Sequence, residues 1–336
     1  MWTKRCLKSI LKIKNGTDYK KVENKKGKYG VYGTGGLITH TDNFLIDKPT
    51  VCIGRKGTIN RPMFFNTPIW TVDTLFYSDI KNADPRFVFY LFQTINWNKY
   101  NQSTGVPSLT SEGIEKINSF IPNSITEEKR ISSFLSLIDK RINILNNKIS
   151  ILKKYKEGLI NSWFNYKGNT VKLNTLVNPK VSQLLTNQIK NNFGKYIVYD
   201  ASGAPYKKID FFNNSSNSIA IIKYGSGCGR TFLTFGNHSV LGTMIELVPK
   251  NINDLEYIYA FTQSNIFKRT CKKYIEIGTT PNLYFSDYGS SNLYYPTNKI
   301  KFITSIKGIE NRIIRHEEML DSLHKLKKQL LNDLFI

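Results

Sequence analysis

Between residues 136 and 164 the apolar side chains recur in a four-three rhythm: Ile138, Ile142, Leu145, Ile149, Leu152, Leu159 and Trp163, with Lys156 the one polar position in the seam. That period belongs to a helix whose narrow apolar stripe faces another helix. The rhythm returns 171 residues later as Ile309, Ile313, His316, Leu320, Leu323, Lys327, Leu330 and Leu334. Stretches 136–164 and 307–335 align without a gap, and Arg141, Lys154, Lys156, Asn161 and Phe164 meet identical residues in Arg312, Lys325, Lys327, Asn332 and Phe335. Each helix is the other's natural partner. The predicted pairing residues are therefore Ile138, Ile142, Leu145, Ile149, Leu152 and Leu159 on one, and Ile309, Ile313, Leu320, Leu323 and Leu330 on the other. Ser124 and Thr126, followed by Glu127 and Glu128, give a cap and first-turn acids, so the first helix should begin near Thr126. Gly168-Asn169 should close it, with glycine as the C-terminal cap.

Outside these helices the pattern changes. Short apolar runs such as Pro49-Thr50-Val51-Cys52-Ile53 and Ser218-Ile219-Ala220-Ile221-Ile222 sit between Gly, Asn and Pro clusters and read as strands. Aromatics at helical spacing predict short helices over Pro85–Asn96 and Asp254–Phe267. These parts also repeat. Gly27-Lys28-Tyr29 returns 167 residues on as Gly194-Lys195-Tyr196, each followed by a small-residue turn. Thr104-Gly105-Val106-Pro107-Ser108-Leu109 is echoed 174 residues on by Gly278-Thr279-Thr280-Pro281-Asn282-Leu283, and Ile121-Pro122 by Tyr295-Pro296. The fold class is α+β. Two tandem strand-rich domains, 1–124 and 169–298, are each followed by a long helix, 125–168 and 299–336, and the two helices pack as an antiparallel coiled coil.

Composition adds a partner. The chain has 336 residues, 40% hydrophobic and 13% aromatic, enough to build cores. Its 48 Lys and Arg exceed its 25 Asp and Glu, a net charge of +23. Such a surplus attracts a polyanion, and nucleic acid comes first because phosphate neutralisation releases counterions. An AT-rich genome also inflates lysine and is the other source of the excess. Cys6, Cys52, Cys228 and Cys271 are scattered without a C-x-x-C pair, which fits neither a zinc ribbon nor a disulfide framework. The lysine-rich start lacks an apolar signal core, and no run approaches the ~20 apolar residues of a membrane span. A cytoplasmic protein is expected.

The candidate contacts lie on turns. Ile53-Gly54-Arg55-Lys56-Gly57-Thr58-Ile59-Asn60-Arg61 is a glycine turn carrying Arg55, Lys56, Thr58, Asn60 and Arg61. Its parallel is Lys223-Tyr224-Gly225-Ser226-Gly227-Cys228-Gly229-Arg230, with Lys223, Tyr224, Ser226 and Arg230. Glycine lets a backbone approach phosphate, while Arg and Lys can fork onto guanine. A plain hairpin turn is the alternative for both. Tyr32 and Thr34 in the first small-residue turn, and Ser103, Thr104, Thr279, Thr280 and Asn282 in the proline-stiffened loops, offer short donors and acceptors. Structural loops would look the same. Lys207-Lys208 and Lys272-Lys273 lie beside Tyr206 and Tyr274, and either pair suits phosphate or open solvent.

Catalytic signatures are missing. The 224–231 stretch has Tyr224 where a P-loop needs its first glycine and Arg230 where it needs lysine. Asp73 and Asp84 lack the spacing of a nuclease carboxylate set, and Asn178-Pro179-Lys180 lacks the second proline and aromatic of a base-flipping methyltransferase motif. His40, His238, His316 and His324 show no metal-ligand spacing, and His316 sits on the helix seam as a packing residue.

The order of these features resembles the specificity subunit of type I restriction–modification systems over essentially the whole chain. The matching stretches are Tyr29–Gly36, Ile53–Ile59, Trp70–Phe76, Thr104–Pro107 and Glu127-Glu128-Lys129-Arg130-Ile131 at the first helix start. The second helix begins with Lys299-Ile300-Lys301 instead of an acidic pair. The resemblance implies a non-enzymatic subunit whose two domains each read half of a bipartite double-stranded DNA target. It also implies that the helices space the halves and dock two methyltransferase subunits, to which restriction and translocase subunits attach. A helix over 136–164 is about 43 Å long, somewhat more than the ~34–36 Å of one DNA turn. S-adenosylmethionine, ATP and magnesium would belong to the partners, and this chain would hold no cofactor. A stand-alone nuclease-like protein and a coiled-coil adaptor are the rival readings.

Overall fold

A computed structural model describes residues 2–189, 193–275 and 281–335. The first copy runs β1 (Trp2–Cys6), β2 (Leu11–Lys14), β3 (Tyr29–Gly33), β4 (Gly36–Thr41), β5 (Thr50–Gly54), β6 (Met63–Phe65), β7 (Trp70–Thr71), β8 (Leu75–Ile80), α1 (Pro85–Thr94), α2 (Ser111–Glu115), β9 (Asn118–Pro122) and α3 (Ile125–Phe164). The second runs β10 (Thr170–Lys172), α4 (Leu173–Leu176), β11 (Val177–Val181), β12 (Tyr196–Tyr199), β13 (Pro205–Ile209), β14 (Ser218–Ile222), β15 (Thr231–Thr234), β16 (His238–Val240), β17 (Met244–Pro249), α5 (Leu255–Gln263), α6 (Asn265–Tyr274), α7 (Phe285–Tyr288), β18 (Asn292–Tyr294) and α8 (Lys299–Leu334). The chain divides into two compact units, Met1–Asn146 with Glu318–Ile336, and Asn147–Glu317.

The duplication extends to topology. The first unit has a four-stranded antiparallel sheet β2-β8-β5-β6, a three-stranded sheet β4-β3-β7 in which β3 and β7 are parallel, and a β1-β9 ladder. The second repeats all three as β11-β17-β14-β15, β13-β12-β16 and β10-β18. β5 and β14 are buried at every residue, which is why their sequences are apolar runs without alternation.

Two helical details depart from expectation. The stretch expected as one helix over Asp254–Phe267 is two, because Ser264 turns extended and its hydroxyl caps α6 by accepting from Phe267 N–H at 3.3 Å. Gly168 does not cap a left-handed turn: α3 ends at Phe164, and a Cβ at Gly168 would meet the Tyr294 ring at 2.6 Å. Close packing requires that glycine.

α3 and α8 pack antiparallel. In the second unit Lys153 meets Glu317 at 2.8 Å, Lys156 meets Glu310 at 3.1 Å and Trp163 stacks on Phe302 at 4.4 Å, so numbers rise on one helix as they fall on the other. In the first unit Ile138 and Ile142 cluster with Leu135, Tyr90, Leu320, Leu323 and Leu330. Leu145, Ile149, Ile309 and Ile313 are buried, Leu152 is half-buried, and Leu159 packs on the second core. The helix ends complete the cores. Phe335 lies 5.2 Å from Phe87 in the first unit, and its repeat mate Phe164 lies 5.3 Å from Tyr257 in the second.

One core position set differs between the copies. Ile46 bridges Ile69 in the first unit as Asn214 bridges His238 in the second. Beside them Cys52 pairs with Tyr77, where Ala220 pairs with Glu246. The first unit fills this place with a cluster of Ile46, Cys52, Ile69 and Leu75, flanked by Phe65 and Tyr77. The second fills it with a buried polar network: Glu246 Oε1 accepts from Asn214 Nδ2 at 2.8 Å, Ser218 Oγ at 2.6 Å and His238 Nε2 at 2.5 Å. His238 Nδ1 lies 2.9 Å from the Gly236 carbonyl, so the buried ring ties that carbonyl to the Glu246 carboxyl.

Candidate nucleic-acid interface

The glycine turn and the proline loop, far apart in sequence, are hydrogen-bonded together in both units. In the first, Gly57 N–H donates to Pro107 O at 2.9 Å, Leu109 N–H to Arg55 O at 2.9 Å, and Arg55 N–H to Thr74 O at 2.8 Å. In the second, Gly225 N–H donates to Pro281 O at 3.0 Å, Leu283 N–H to Lys223 O at 3.0 Å, and Lys223 N–H to Thr243 O at 2.8 Å. Gly57 and Gly225 share φ +88, a left-handed geometry that favours glycine. The backbone is one frame built twice.

These bonds fix the correspondence of side chains. Arg55 matches Lys223, Lys56 matches Tyr224, and Ser108 matches Asn282, whose bridges to Lys56 and Tyr224 are equivalent. Val51 pairs with Phe64 as Ile219 pairs with Leu233, so Arg230 corresponds to Arg61 and not to Arg55. Lys56, Thr58, Asn60, Arg61, Tyr224, Ser226 and Arg230 are exposed, while Ile59, 2% exposed, pins the first turn to the core. Arg55 is half-buried, with Nη1 3.4 Å from the Asp73 carbonyl. Lys223 Nζ stands 4.6 Å from the centre of the Tyr224 ring. The first frame thus presents two cations where the second presents a cation over an aromatic.

Thr34 joins the first frame: it is the side chain nearest to where a Cβ would stand on Gly57, at 3.8 Å. Tyr32 instead packs against Phe65, with ring centres 4.4 Å apart and planes tilted by 52°, and contributes to the core. Ser103 and Thr104 sit in the proline loop, held by a residue the sequence motifs do not single out. Asn101 Oδ1 accepts from Ser103 N–H at 3.1 Å and Ser108 N–H at 2.9 Å. An Asn starting a polar loop is the usual signal for such a turn. Lys207 and Lys208 lie on β13, with Lys207 Nζ 3.2 Å from Ile189 O. Lys272 and Lys273 occupy the last turn of α6. Thr279 and Thr280 lie outside the described residues.

The second turn is no nucleotide cradle. Gly225, Cys228, Gly229 and Arg230 all spend their N–H groups on backbone carbonyls, leaving none of these four for phosphate. Among the described residues no group of three or more His, Cys, Asp or Glu could hold a metal ion, and no helix is long and apolar enough to cross a membrane. Burial pushes the Cys271 thiol up to about 12 and Cys52 higher still, so neither is a ready nucleophile.

The family model for the type I restriction modification DNA specificity domain matches residues 1–154. No curated protein sequence matches the chain. Its fold is similar to that of the type I restriction-modification S subunit from M. genitalium, at 18% identity and a TM-score of 0.70, covering 100% of this chain and 96% of that one. A structure from work on complex assembly and conformational transition of the type I R-M system matches at 10% identity and a TM-score of 0.60, covering 98% and 96%.

Proposed function

We propose that the chain is a DNA specificity subunit of a type I restriction–modification system, non-catalytic within the complex, and that its glycine-turn and proline-loop frames each read one half of a bipartite duplex target. The readers would be residues 1–124 and 169–298, with 125–168 and 299–336 as helical spacers that set the gap and dock the partners. Those partners are two methyltransferase subunits, joined by restriction and translocase subunits. S-adenosylmethionine, ATP and magnesium act on these partners.

The observation that carries this reading is the repeated frame with unlike side chains. Three backbone hydrogen bonds recur with the same partners in both units, while Arg55-Lys56 gives way to Lys223-Tyr224. A scaffold that keeps its geometry and varies what it presents suits two different half-sites. Titrating duplex DNA with the full chain at rising salt tests it. If six or more phosphates are neutralised, affinity falls about a thousandfold or more between ~50 and ~200 mM salt. Affinity indifferent to salt would overturn the reading.

A further inference from the structure

A second feature recurs in both units; in the first it lies at the other end of the β3–β4 hairpin from Thr34. Lys28 Nζ stands 5.3 Å from the centre of the Tyr29 ring, which meets Phe44 edge-on at 5.4 Å and 77°. In the second unit Lys195 Nζ stands 5.7 Å from the Tyr196 ring, which meets Phe212 at 4.8 Å and 68°. The glycine before each lysine is held by the same constraint: a Cβ at Gly27 would strike the backbone of Thr41, and one at Gly194 that of Ile209. Thr41 and Ile209 are the strand partners of Tyr29 and Tyr196. Yet the aromatics are not sealed in, for Phe44 is 46% and Phe212 39% exposed, and both lysines are exposed.

Exposed aromatics beside exposed lysines, kept in two copies that differ in what their frames present, call for a ligand common to both half-sites. The surroundings are basic. In the first unit Lys20, Lys21, Lys25 and Lys26 flank the triple against Glu23 and Asp42, and Asp42 accepts from Asn24 Nδ2 at 2.6 Å and from the Lys28 backbone N–H at 3.3 Å. In the second, Lys207 and Lys208 lie on the strand paired with Ile197 and Val198, against Asp210. Along β3 the triple is about 16 Å from Thr34, so it lies beyond reach of the bases the frame contacts.

We infer that Lys28-Tyr29-Phe44 and Lys195-Tyr196-Phe212 are a second, sequence-independent DNA contact on each unit, in which the lysine meets a backbone phosphate and the rings lie against deoxyribose. The inference rests on the DNA-reading function. Phosphate and sugar are the same whatever bases each unit reads, which explains why this triple persists while the frames diverge.

The test compares the full chain with Lys28→Gln/Lys195→Gln and with Phe44→Ala/Phe212→Ala, on target and non-target duplexes over a range of salt. Losing two phosphate contacts should make the slope of log affinity against log salt shallower by about 1.8, which is about 12-fold over a fourfold salt range. Affinity for both duplexes should fall by the same factor, and Lys28→Arg/Lys195→Arg should restore the slope. The phenylalanine pair should weaken both duplexes alike with an unchanged slope. An unchanged slope in the glutamine variant overturns the inference, as does a loss confined to target DNA. A variant that binds DNA normally but fails to join a methyltransferase overturns it too, marking the patch as a protein surface. If the unaltered chain binds no DNA, the function proposed above fails instead.

Discussion

Lys327 Nζ lies 2.6 Å from Asp139 Oδ1 in the first unit, and the duplication makes the same bridge again as Lys156 to Glu310 in the second. Positions 139 and 310, like 156 and 327, are separated by the 171-residue repeat. An antiparallel pair of equivalent helices must make any such contact twice, once with each helix as donor. The two lysines that interrupt the apolar seam therefore pin its register, the best-attested use of a polar seam residue.

The two bridges differ in environment, and so should their variants. Lys327 and Asp139 side chains are 16% and 29% exposed, and Asp139 also accepts from the Tyr90 hydroxyl at 2.8 Å. Asp139→Ala leaves a shielded ammonium and a phenol unpaired, at a cost of about 1–3 kcal/mol. Lys156 and Glu310 are 30% and 37% exposed, so Glu310→Ala should cost under ~1 kcal/mol. Urea denaturation of both variants checks the order, and equal losses would refute it.

The second unit should be acid-labile where the first is not. Burial pushes the Glu246 carboxyl up, but hydrogen bonds from His238 and Ser218, the electrostatic pull of the His238 ring and the Asn214 hydrogen bond together hold it below its ordinary value. A carboxylate depressed in the folded state stabilises above its unfolded pKa of ~4.3 and loses that contribution as pH falls through the lower folded value. Glu246→Gln should flatten this acid limb. Glu246→Ala, which leaves Asn214, Ser218 and His238 without their shared buried acceptor, should cost at least about 1–3 kcal/mol at neutral pH. Hydrogen exchange followed in β14 and β17 against β5 and β8 would separate the units. Parallel acid loss in both would count against the network.

Glycines in the frame separate two kinds of strain. A Cβ at Gly225 meets nothing within 4 Å, so Gly225→Ala carries only the left-handed backbone penalty, about 1–2 kcal/mol. A Cβ at Gly54 strikes the Thr58 carbonyl, so Gly54→Ala must displace the turn itself. DNA binding should survive the first substitution better than the second, as gel-shift titration at fixed salt would show.

What is legible in the sequence is what the duplication preserved for backbone reasons. Gly27 and Gly194 admit no side chain beside the neighbouring strand, and Pro107 and Pro281 offer the carbonyls that tie the loops, so both survive as visible echoes. The α+β architecture and the helix pair follow from periodicity that packing enforces. The Arg61–Arg230 match is hidden because the glycine turns align at two offsets, and a gap-free comparison sets Arg230 near the wrong partner. The His238–Glu246 pair leaves no signal, since its counterparts are Ile69 and Tyr77 and nothing in the spacing marks two residues that meet only across strands. At the helix starts Glu128 accepts from Asp84 N–H at 2.6 Å, whereas its repeat mate Lys299 lies 3.3 Å from Asp254 Oδ1. The departure from an acidic pair at the second start is therefore a change of sign at one junction, with the contact kept.

The sharpest prediction exchanges what one frame presents while leaving the frame alone. Lys223→Arg with Tyr224→Lys gives the second unit the Arg55-Lys56 pair of the first. Neither substitution touches the three backbone hydrogen bonds, because all are made by main-chain atoms, and Gly225 keeps its φ of +88. The variant should fold as before. If these side chains reach base edges, the methylated motif changes in the half read by the second unit and stays fixed in the other half. A bidentate Arg–guanine contact discriminates by about 1–3 kcal/mol, so the shift should be confined to one or two positions and favour guanine there. Arg55→Ala is the converse, relaxing one position in the first half by a similar amount. Mapping the methylated sites of a host carrying each variant reads both outcomes. An unaltered motif from a stable, active double variant would place the base-reading side chains elsewhere, with Arg61 and Arg230 as the next pair to exchange.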